Sequence, residues 1–86
     1  MFLNKCKKGG KAVNLEVEKR IGRNIRALRE SQGFTQERLA TKFQLHGCDI
    51  TRSAIAKIEV GQRHIYADEL ILFKEIFNVS YEELLK

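Results

Sequence analysis

Eighty-six residues leave room for one domain, whose core can withdraw only about 60% of the unfolded chain's surface from water. Apolar residues make up 43% of the chain and charged residues 31%, proline is absent, and no apolar run approaches the roughly 20 residues of a membrane span; a disordered or membrane-spanning chain is excluded. The net charge of +5 is unevenly spread: residues 1–14 hold four lysines and no acid, residues 15–64 ten Lys/Arg against six Asp/Glu, and residues 65–86 two against five.

Residues 1–14 read as a flexible basic arm, because Gly9-Gly10 interrupts any helix and Lys5, Lys7, Lys8 and Lys11 repel one another. A first helix is expected from about Leu15 to Ser31, with Val17, Ile21, Ile25 and Leu28 in one apolar stripe and Gly33 closing it. A second helix starts at Thr35, which can cap Arg38, and buries Leu39, Ala40 and Phe43 before ending near Gln44 or Leu45. A third spans 51–60: Thr51 caps it, Ile55 and Ile58 face inward, and Arg52, Ser53, Ala56 and Lys57 face out. The fourth runs from Ala67 to Phe77 with Leu70, Phe73 and either Ile76 or Phe77 inside, and the fifth opens at Ser80 with Glu83 three residues on. Three capped starts and no strand pattern predict a compact, all-α chain of five helices, with residues 15–86 as the folded domain.

The stretch GFTQERLA at 33–40, followed by ITRSAIAKIE at 50–59 and Gly61, resembles the Cro/phage-repressor type of helix-turn-helix protein. The likeness extends over about residues 17–86 and implies a lambda-repressor-like fold whose third helix enters a DNA major groove. A groove about 12 Å wide admits one α-helix, whose N-terminal residues reach the base edges. Arg52 can donate two hydrogen bonds to guanine, Ser53 can reach a base edge, Lys57 can reach guanine or phosphate, and Ala56 can touch a thymine methyl. Phosphate contacts are expected from Thr35, Gln36 and Thr51 at the helix starts, and from the Gln62-Arg63-His64 turn beyond helix three. The resemblance also implies a structural ion pair between Glu59 and Arg29. The segment Leu45–Asp49 adds about five residues to the connection usual in such proteins, so helix two gains a turn or the link bulges.

The partner implied is double-stranded DNA, as an operator of pseudo-palindromic type held by a homodimer, and the function a transcriptional regulator of repressor type. The competing reading is an antitoxin-like protein-interaction module on the same fold. The serines, histidines and carboxylates lack the spacing of a nucleophile with its base, so no enzyme, catalytic residue or cofactor is expected. His46, Cys48, Cys6 and His64 match no common zinc spacing, so no metal is expected either. Met1-Phe2-Leu3 runs straight into polar residues without a secretory apolar stretch, which with two cysteines points to the cytoplasm.

Overall fold

The computed structural model describes residues 15–86; the basic arm read at 1–14, with Cys6, lies outside the described residues. Five helices and no strand form the described chain: α1 (Leu15–Ser31), α2 (Gln36–Leu45), α3 (Arg52–Glu59), α4 (Ala67–Phe77) and α5 (Tyr81–Leu85). Three of the starts are fixed by side-chain caps: Thr35 accepts from Arg38 N–H at 3.0 Å, Thr51 from Ala54 N–H at 3.1 Å, and Ser80 from Glu83 N–H at 3.1 Å. Each hydroxyl satisfies one of the amides that a helix start leaves without a partner.

The apolar stripe of α1 supplies the floor of the core. Ile25 is fully buried there with Leu39 and Phe43 from α2, Ile55 and Ile58 from α3, Phe73 from α4 and Leu84 from α5. Phe43 meets Phe73 edge-on at 4.6 Å between centroids, and Phe73 stacks on Phe77 at 6.0 Å. Helix ends in this core are satisfied from α1 and from the residue just beyond it. Asn24 donates to the carbonyls of Leu84 and Lys86, and Gln32 donates to that of Phe77, which hold α5 and the end of α4 in place.

Helix α4 begins without the hydroxyl cap of α2, α3 and α5. Tyr66 occupies the cap position, and the Glu69 carboxylate reaches back to its backbone N–H at 3.1 Å. The helix ends at Asn78, which takes the left-handed conformation. No described helix is long and apolar enough to cross a membrane.

Candidate nucleic-acid interface

The site rests on how α3 is held. Ile55 and Ile58 are fully buried, and the spacing of three residues puts them on one side of the helix. The other side is left to Arg52, Ser53 and Lys57, all exposed, with Ala56 half-buried between them. Among the described residues, the side chains of Arg52 and Lys57 form no ion pair, so both cations stand free at the surface.

Behind α3 lies a buried polar joint. Arg29, near the end of α1, meets Glu59 with Nε–Oε2 at 2.6 Å and a second contact at 3.2 Å. Its remaining terminal nitrogen donates to the Phe34 carbonyl at 2.8 Å, while Gln36 donates its amide to Glu59 at 3.0 Å. The hydrogen bonds it donates to Glu59 raise the Arg29 pKa above its usual value against the opposing effect of burial. One carboxylate at the end of α3 thus ties together the end of α1 and the start of α2. No buried side-chain polar atom among the described residues lacks a partner.

Close backbone contact completes the mounting. Gly22 of α1 lies against the carbonyls of Ile58 and Glu59, and a Cβ there would run into both oxygens. Gly61, at φ 78°, turns the chain beyond α3 and leaves no room for a Cβ against Lys19. The Gln62 N–H then donates to the Lys57 carbonyl at 2.8 Å, closing the helix.

Sequence-expected residues fall into three groups. Arg52, Ser53, Ala56 and Lys57 share the outward face of α3. Thr35 and Thr51 are exposed helix caps, and Gln36 is half-buried with its amide on Glu59. The turn beyond α3 is arranged differently from a free clamp: Gln62 is exposed, but Arg63 and His64 already have carboxylate partners. Arg63 pairs with both oxygens of Glu69 at 2.9 and 3.0 Å and donates to the His64 carbonyl; the His64 ring sits 3.0 Å from Glu18.

Burial drives the Glu69 pKa up, but the Arg63 guanidinium, the Tyr66 N–H and nearby positive charge together hold it below the ordinary carboxylate value. The hydrogen bond to Glu69 likewise raises Arg63, partly offset by burial. Sequence reasoning missed Gly22 and Glu69. A lone glycine inside a helical pattern was the available signal for the first.

The segment before α3 is ordered by hydrogen bonds. Helix α2 runs to Leu45, Gly47 takes φ 83°, and the Cys48 N–H returns to the Phe43 carbonyl at 3.0 Å. Ile50 is buried beneath it, and Gln44 donates its amide to the Ile50 carbonyl at 3.1 Å. Burial, then the charges of Glu69 and Asp68, push the Cys48 thiol up, which disfavours the thiolate that metal binding or redox chemistry needs. Among the described residues no group of three His, Cys, Asp or Glu side chains is placed to hold a metal.

Comparison with known proteins bears on this arrangement. No curated protein matches the chain. Among solved structures, the crystal structure of the DNA-binding domain of BldD superposes with a TM-score of 0.71 at 22% identity, covering 86% of this chain and all of that one. At that identity the likeness speaks for the fold. A family model described as helix-turn-helix matches residues 25–84, from the core of α1 to the last helix. The chain belongs to this helix-turn-helix family, of the Cro/phage-repressor type.

Proposed function

We propose that the chain is a sequence-specific transcription regulator of repressor type that reads a DNA major groove with α3. Membership of the helix-turn-helix family supports DNA binding and transcription regulation. The observation that carries the finer reading is the outward face of α3: two free cations, Arg52 and Lys57, flank small Ser53 and Ala56 on a helix anchored from behind by Ile55 and Ile58. Such a surface can enter a groove without removing anything from the core. Arg52, Ser53, Ala56 and Lys57 are the proposed base contacts.

Phosphates are proposed to meet the two caps, Thr35 and Thr51, whose hydroxyl protons remain to donate while their oxygens accept from the helix. Gln36 has one amide proton on Glu59 and a second to offer. Gln62 is open on the far side, and Arg63 and His64 can contribute there only by sharing with Glu69 and Glu18. Two copies on a pseudo-palindromic operator in the cytoplasm complete the reading.

A salt titration on a random-sequence duplex tests the electrostatic part. Affinity should fall steeply as salt rises, because each neutralised phosphate releases counterions. Absence of binding at low salt would remove the reading and leave the interaction module.

A further inference from the structure

We infer that the link between α2 and α3 is a built spacer that fixes the base-reading end of α3, with Gln44 as its positioning residue; the inference rests on the reading of α3 given above.

Leu45, His46, Gly47 and Asp49 are all exposed, so apart from Cys48, packed against the core, and the buried Ile50, apolar burial does little to hold this link. Hydrogen bonds hold it instead. The His46 ring Nδ1 donates to the Lys42 carbonyl at 2.8 Å, the Gly47 N–H to the Gln44 carbonyl at 3.0 Å, and the Cys48 N–H to the Phe43 carbonyl at 3.0 Å. Those bonds close the end of α2, and a bond from the Ile50 N–H to the Cys48 carbonyl folds the link upon itself.

The Gln44 amide is different, since it crosses from α2 to the far end of the link, donating to the Ile50 carbonyl at 3.1 Å. Thr51, the cap of α3, follows at once, and Arg52 after it. The buried Ile50 side chain holds this point from inside while Gln44 holds its carbonyl from outside. Two-pronged recognition of a base demands that the reading group be held to about 0.5 Å. A polar strut two to three residues upstream of Ser53 and Arg52 supplies that constraint where the exposed link cannot.

Gln44→Met keeps length and neutrality but removes the donor. Sites are first selected by the wild-type chain from a random duplex pool. Both proteins are then measured on the selected duplex and on a random one. The variant should lose about three- to tenfold on the selected duplex, the range expected of one neutral hydrogen bond. Its random-duplex affinity and salt dependence should stay at wild-type values, its thermal midpoint should fall only by the few degrees that one hydrogen bond contributes, and its own selected sequence should keep the same bases with flatter preference.

Gly47→Val, strained at φ 83°, should reproduce the loss; Gly47→Asn, which tolerates that backbone, should retain discrimination. Full discrimination by Gln44→Met overturns the inference, as does an equal loss on both duplexes. A preference altered at one base pair alone also overturns it, since Gln44 would then touch DNA directly. A wild-type chain that selects no sequence overturns the underlying reading, and the spacer with it.

Discussion

Replacing Gly22 by alanine separates what helix propensity predicts from what packing predicts. In an open helix the change should stabilise by about 1 kcal/mol, because glycine loses more backbone entropy than alanine. Here the added methyl would meet the Ile58 carbonyl oxygen and stand 2.9 Å from that of Glu59. Both obstacles are backbone atoms, so relief requires α1 and α3 to move apart. Overpacking of this kind costs about 1–3 kcal/mol, and the absence of a flexible side chain to give way places it at the upper end. After the propensity gain is subtracted, a net loss of about 2 kcal/mol remains. For a domain of this size that lowers the thermal midpoint by about 8–16 °C. Thermal melts followed by circular dichroism at neutral pH give the number directly. A midpoint at or above wild type would show that the helices separate freely, and the account of how α3 is mounted would fail.

Arg52→Ala should weaken a selected site by about 1–3 kcal/mol and leave random-duplex affinity nearly unchanged, as read by competition binding; equal losses would make Arg52 a phosphate contact. Glu59→Ala should destabilise by about 3–5 kcal/mol by leaving Arg29 buried without its carboxylate, while Arg29→Met combined with Glu59→Met should cost less than that single change in urea melts. The Glu69 pKa is depressed below 4.5, so its stabilisation is present above that value and is lost as pH falls through the folded pKa. The thermal midpoint of wild type should therefore drop more steeply below about pH 4.5 than that of Glu69→Gln; parallel curves would show that the Arg63 pair contributes nothing.

Local features of the chain announced most of the helices. Thr35, Thr51 and Ser80 act on amides three residues away, so their caps need no tertiary knowledge. The recurrence of Ile21, Ile25 and Leu28 marks one face of α1, and Ile55 and Ile58 one face of α3, from periodicity alone. What the chain conceals is which groups meet across it. Arg29 and Glu59 are 30 residues apart, and only the family resemblance suggested them as partners. His64 and Glu18 are 46 apart, and nothing near either position signals the other. The turn beyond α3 reads as a phosphate clamp when its cations are considered alone; the carboxylates that occupy Arg63 and His64 come from α4 and α1. Tyr66 gives no cap signal because tyrosine is not among the residue types that cap helices; Glu69 protects its amide instead.

The same division explains how a mildly basic domain can present a defined charge pattern. Arg26, Arg29 and Arg63 are each bound to a carboxylate, Glu30, Glu59 and Glu69 respectively, while Lys42 and Lys74 lie over the rings of Phe34 and Tyr81. A cation already paired has less to gain from a phosphate, since it must surrender one carboxylate contact for another anion. Arg52 and Lys57 face no such exchange. Their positions follow from apolar burial two or three residues away in the same helix, so the core that stabilises α3 also selects which charges remain outside. Any change that rotates α3 about its axis would therefore exchange free cations for the buried Ile55 and Ile58, and lose folding free energy and the basic reading face together.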